Sequence, residues 1–166
     1  MTKHRILVVT LAAGLALAGT SAPALASGPA AFGPYGYGGV KLGMSAKTAK
    51  ATGKIVHKSR LDAGACSAWD LKAHPTGRDA AGLYISKKHG VAMIFAPKGV
   101  KTPQGIGVGS TNAQLKHAYA KKLRTAASGF PIVKAPGNPK AYYYFLLSHG
   151  KIYEMGLALD KQDCAN

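Results

Sequence analysis

The stretch Gly105-Ile106-Gly107-Val108-Gly109-Ser110-Thr111 decides how this chain is read, because Gly39-Val40-Lys41-Leu42-Gly43-Met44-Ser45 answers it. Both run Gly, β-branched, any residue, aliphatic, Gly, any residue, hydroxyl. Each precedes helix-compatible sequence, and Ser45 and Thr111 stand where a side-chain oxygen can cap a first helical turn. A pattern written twice points to an internal repeat. The fold class expected is α+β: two tandem units, 39–98 and 99–166, forming one compact domain. In each unit a short helix packs on an antiparallel β-sheet.

Outward from Ser45, Ala46, Ala49 and Gly53 form a face of small residues, with Gly53 placed to end the helix. Ala65 to Lys72 reads as a strand carrying Cys66 and Trp69, and Trp69 is expected in core packing around a disulfide. His74-Pro75-Thr76-Gly77 is turn chemistry. Leu83-Tyr84-Ile85 and Val91 to Phe95 are β-type runs joined by a hairpin, Ser86-Lys87-Lys88-His89-Gly90. After Thr111, the residues Leu115, Ala118, Tyr119 and Leu123 recur at helical spacing. Phe130 to Lys134 and Tyr142 to Leu147 read as strands. Ser148-His149-Gly150 reads as a hairpin loop. Ile152 to Leu159 is the return strand, with Tyr153, Met155, Leu157 and Leu159 on one face.

The N-terminus sets the compartment. Lys3, His4 and Arg5 precede an apolar run from Ile6 to Ala18, and Ala24-Leu25-Ala26 is a small-x-small cleavage site. This is the pattern of a secretory signal peptide over residues 1–26. The run is too short for a membrane span, which needs roughly 20 apolar residues. The protein is therefore expected to be secreted, extracellular or wall-associated, after cleavage near Ala26, with no transmembrane segment. Residues 27–38, rich in Gly and Pro, read as a flexible tail. Cys66 and Cys164 are the chain's 2 cysteines. In an oxidising compartment an even count favours pairing over two free thiols. The loop so closed, about 100 residues, corresponds to roughly 4–5 kcal/mol in the chain-entropy account.

The charge is strongly positive: 22 Lys+Arg against 6 Asp+Glu, formally +16. The arginines are only Arg5, Arg60, Arg78 and Arg124. Lysine is a hydrated point charge, whereas arginine is the residue of bidentate readout. The excess fits attraction to polyanions or simple solubility rather than specific nucleic-acid recognition.

Catalytic signatures are absent. Past the signal segment the carboxylates are five aspartates and Glu154, a small pool for two-carboxylate hydrolysis. The histidines His57, His74, His89, His117 and His149 show no metal-ligand spacing, and no G-x-S-x-G elbow occurs. Gly105-x-Gly107-x-Gly109 lacks the Lys-Ser/Thr of a phosphate loop, so its glycines read as turn and close-packing positions. No catalytic, metal or cofactor residue is assigned.

Leu42-Gly43-Met44-Ser45 and Val108-Gly109-Ser110-Thr111 resemble the aliphatic-Gly-Met-Ser/Thr helix openings of the β-lactamase inhibitory protein family. They also resemble those of the outer-membrane assembly lipoproteins related to it in fold. The whole chain is similar to small secreted proteins of high-GC Gram-positive bacteria. The resemblance implies helices packed on an antiparallel sheet, twice in tandem, and a binding role. Two departures separate this chain from the inhibitory family, which has a disulfide inside each unit and an acidic residue on its inhibitory loop. Here each unit holds one Cys, and the matching hairpin is Lys87-Lys88-His89.

The binding residues expected are Tyr142, Tyr144, Lys87, Lys88 and His89. In a strand alternate side chains face opposite ways, so either Tyr142 with Tyr144, or Tyr143 alone, faces away from the helices. The function expected is non-enzymatic binding of an extracellular protein or an anionic cell-wall polymer, in an inhibitor-like manner. A basic polyanion-associating protein without a defined pocket is the alternative, and a secreted hydrolase the third reading. Oligomeric state is left open.

Overall fold

A computed structural model describes residues 31–165. The signal peptide read over 1–26, the first part of the expected tail and Asn166 lie outside the described residues. The elements are β1 (Gly36–Tyr37), β2 (Val40–Lys41), α1 (Ala46–Ala51), β3 (Ile55–His57), β4 (Cys66–Leu71), β5 (Leu83–Ser86) and β6 (Gly90–Phe95). They continue with α2 (Asn112–Tyr119), β7 (Arg124–Thr125), β8 (Pro131–Ala135), β9 (Asn138–Ser148) and β10 (Lys151–Leu159). The protein is mixed but strand-dominated. Eight strands form one antiparallel sheet in the order β3-β4-β5-β6-β10-β9-β8-β7, and β1 and β2 form a separate ribbon.

Both helices start where the hydroxyls predict. Ser45 Oγ accepts the Thr48 amide at 3.1 Å. Thr111 and Gln114 form a reciprocal capping box, with bonds of 3.2 and 2.8 Å. The helices are short because little follows to sustain them. Of the small face on α1 only Ala49 is buried; Ala46 and Gly53 are exposed. On α2, Leu115 and Tyr119 are buried, but the helix stops at Tyr119 and a 3-10 turn follows before Leu123. The glycine-rich stretch is a turn whose amides are consumed internally. Ile106 and Gly107 donate to the Thr102 and Ser110 hydroxyls, and Gly109 donates to the Ile152 carbonyl.

The two sheet faces differ. Ala49, Leu115 and Tyr119 of the helices pack with Leu83, Ile85, Ile94, Val133, Tyr143, Phe145, Met155 and Leu157 in the main core. Among the described residues the opposite face carries no helix. At its centre β6 pairs with β10, Gly156 opposite Phe95 and Ala158 opposite Met93. Gly90 closes the β5–β6 hairpin at φ 70°, and a Cβ there would stand 2.4 Å from the Met44 carbonyl.

Three expectations are corrected, and two edge strands are added. Residues 31–38 are not a free tail: Phe32 is fully buried and its carbonyl accepts the Tyr143 hydroxyl at 2.8 Å. The aromatic content decides this, because burying Phe32 offsets the ordering cost. On β10 a bulge between Ile152 and Glu154 turns Tyr153 outward, so Ile152, Met155 and Leu157 share the core face. Trp69 lies in the core but not around the disulfide. It is three residues from Cys66, hence on the opposite face of β4, stacked on His57 at 4.5 Å. The short edge strands β3 and β7 were not expected, since two or three residues carry no period.

Cys66 and Cys164 are joined, as expected, across a sequence separation of 98. Asp70, at the end of β4, organises the loop after it. Its carboxylate accepts the Thr76 hydroxyl (2.6 Å), the Thr76 amide (3.1 Å) and the Gly82 amide (3.1 Å), and pairs with Lys58 at 3.2 Å. Burial raises its pKa, but the Thr76 hydrogen bonds and Lys58 outweigh that and hold it below the ordinary value.

A carboxylate with a lowered folded pKa contributes stability above its unfolded pKa, and that contribution is lost as pH falls through the folded value. Denaturant melts should therefore show the wild type losing stability below about pH 4, and Asp70→Ala losing about 3 kcal/mol at neutral pH with a flatter acid limb. Cys164→Ser should lower stability by about 4 kcal/mol in the same assay. Intact mass should show the wild type two hydrogens lighter than its reduced form.

Candidate binding groove on the open face of the sheet

The open face is built from cross-strand rows. One row runs Arg124, Ile132, Tyr144, Gly156, Phe95, and the next runs Lys134, Tyr142, Ala158, Met93, Tyr84. On β10 this face shows Glu154 and then the small Gly156 and Ala158, so the large side chains on either side of those two enclose a trough. The loop Ala126–Phe130 stands along one side. The C-terminal segment, with Asp160, Gln162 and Ala165, stands along another. Together they bound a groove of about 840 Å³, within the usual range for ligand sites, roughly 300–1,000 Å³.

Its floor is aromatic and tightly held. Tyr144 meets Phe95 edge-on at 6.3 Å and Phe130 at 6.1 Å. Tyr144 lies over Gly156: a Cβ on that glycine would come within 2.5 Å of the ring. The Tyr144 hydroxyl donates to Glu154 Oε1 at 3.3 Å. Burial, with the Glu154 carboxylate adding to it, pushes the Tyr144 hydroxyl well above the ordinary tyrosine range, so it stays a donor. Burial also raises Tyr142, opposed by its hydrogen bond with Gln162. Lys122, Arg124 and Lys134 mark the rim, with Lys134 paired to Asp160.

Of the sequence-predicted residues, Tyr142 and Tyr144 face away from the helices, and Tyr143 is the one in the core. Tyr142 is half-buried in the groove wall, whereas Tyr144 is only 4% exposed and forms floor rather than free surface. Lys87, Lys88 and His89 lie at the β5–β6 turn, where Ser86 Oγ accepts the Lys88 and His89 amides, and they do not line the groove. The lysines are exposed and His89 is half-buried. Sequence reasoning missed Met93, Phe95, Phe130, Ile132 and Gly156. The signal available was the Gly-x-Ala spacing on β10, which leaves one face of a buried strand without bulk.

Glu154 is half-buried in the groove. Cys66, Asp163 and Cys164 cluster together, but both sulfurs are spent in the disulfide. No helix among the described residues is long and apolar enough to cross a membrane. No protein-family model, curated protein or solved structure matches this chain.

Because Tyr144 needs the bare Gly156 beneath it, Gly156→Ala should displace the ring. The expected result is a loss of about 1–3 kcal/mol in thermal unfolding together with a changed near-ultraviolet tyrosine signal. An unaltered signal would show that the ring does not rest there.

Proposed function

We propose that this is a secreted, non-enzymatic binding protein that takes an apolar segment of an extracellular partner protein into the groove on the open sheet face. The observation that carries the reading is the groove itself: an aromatic floor on a rigid sheet, covered by no helix among the described residues, with charge at its rim. This is the anatomy of an interface core surrounded by polar groups. The carboxylates in it are engaged, Glu154 by Tyr144 and Asp160 by Lys134, which favours binding over hydrolysis. The chain order, a capped helix followed by four strands and then the same again, supports the tandem-unit reading and the resemblance to the inhibitory protein family. The signal-peptide pattern and the Cys66–Cys164 bridge support secretion. Lys87, Lys88 and His89 are proposed as a second, basic contact at the neighbouring hairpin.

Purified mature protein, immobilised and exposed to culture supernatant and wall extract, tests this. A partner band should survive a high-salt wash on the wild type, since packed apolar contacts outlast screening. It should be lost from Phe130→Ala with Tyr142→Ala, with folding checked by thermal unfolding. Equal retention by the double variant would sink the groove assignment. Loss of all binding at high salt would favour the alternative, an anionic wall polymer held by charge alone.

A further inference from the structure

The cross-strand row that floors the groove runs from Phe95 on β6 through Gly156, Tyr144 and Ile132 to Arg124 on β7. Its strand-to-strand steps of roughly 4.8 Å add to about 19 Å, which an extended segment of about six residues spans. The two ends differ. At β6 the groove is lined by Phe95 and Met93, and at the β7 end by Lys122 and Arg124. The acids in the groove already have partners, Glu154 in the Tyr144 hydroxyl and Asp160 in Lys134. Among the described residues neither Lys122 nor Arg124 has a carboxylate partner. Arg124 differs from the lysines of the wider surface in how it is held. Its Nη1 donates to the Lys121 carbonyl at 2.6 Å and to the Leu123 carbonyl at 2.9 Å. These bonds fix the guanidinium plane. Nε and Nη2 keep their N–H donors free of protein partners among the described residues. A planar fork held in place suits a carboxylate taken in bidentate fashion.

We infer that the segment taken into the groove carries an acidic side chain, docked on Arg124, at one end of an apolar run that lies across Tyr144 toward Phe95. This rests on the protein-binding reading above and adds the partner's chemistry and its direction. Charge complementarity selects the occupant. The trough is concave with apolar walls, so the field of Lys122 and Arg124 is focused into it, whereas a lysine on open surface attracts any anion alike. The apolar floor holds the run in place, and the fork at one end gives it a single orientation. A second copy of this chain is a poor occupant, because it brings the same formal charge of +16.

The test pans a phage-displayed library of random peptides on the immobilised mature protein in high salt, which screens the general positive surface. The wild type and Arg78→Gln, a change at an exposed site outside the groove, should both enrich an apolar run with Asp or Glu at one end. Arg124→Gln should keep the apolar run and lose the acid. The enriched peptide, once synthesised, should bind the wild type about fivefold more tightly than its amide counterpart (Asp→Asn or Glu→Gln), the upper range for an exposed ion pair. Arg124→Gln should not tell the two peptides apart. Arg124→Lys, which keeps the charge without the fork, should fall between, and thermal unfolding checks each variant. A wild-type consensus without an acid, or the same acid preference on Arg124→Gln, would overturn the proposal and leave the groove reading standing. Undiminished peptide binding by Phe130→Ala with Tyr142→Ala would sink the groove reading itself. Saturable binding of dodecanoate, or dimerisation abolished by that double variant, with no peptide consensus, would overturn the proposal in favour of a free amphiphile or a second copy.

Discussion

The antiparallel pairing of β6 with β10 is the contact on which the rest depends. It joins the four strands that follow α1 to the four that follow α2, making one sheet of eight. Ile94 and Leu157 meet across it on the helix side, both fully buried. On the other side the same pairing sets Gly156 and Ala158 between Phe95, Met93, Tyr144 and Tyr142. One row of backbone hydrogen bonds thus supports a filled core on one face and leaves a trough on the other. Among the described residues the two α-helices, α1 and α2, both pack on the same face.

The chain ends reinforce this arrangement from opposite sides. Near the start of the described residues, Phe32 sits in the helix-side core under the Tyr143 hydroxyl. At the end, Cys164 ties the last residues to β4 on the open side, so the segment that walls the groove is covalently held. Tyr142, Tyr143 and Tyr144 show how one strand serves both faces. The middle ring anchors the N-terminal segment, and its neighbours build the groove.

Much of the local structure was legible in the sequence. Ser45 and Thr111 announced two helix starts because an N-cap is a short-range interaction between a hydroxyl and an amide three residues on. The hairpins at Lys87–Gly90 and His149–Gly150 were legible for the same reason, as turn chemistry is local. Strand parity placed Tyr142 and Tyr144 on one face and Tyr143 on the other. The bulge at Tyr153 was not legible, because an extra residue in a ladder is defined by the partner strand. The edge strands β3 and β7 were too short to carry a period.

The sequence by itself determined the alternation of elements, the strong positive charge and the availability of one cysteine pair. These follow from residue identity and near-neighbour spacing. Only the tertiary structure decided that β6 and β10 meet and that the open face holds a groove. It also decided that Phe32 is core, that Tyr144 is floor rather than free surface, and that the hairpin lysines stand apart from both tyrosines. Each of these depends on residues far apart in the chain being brought into register. Long-range pairing is set by how whole faces bury together, and no local pattern encodes that sum.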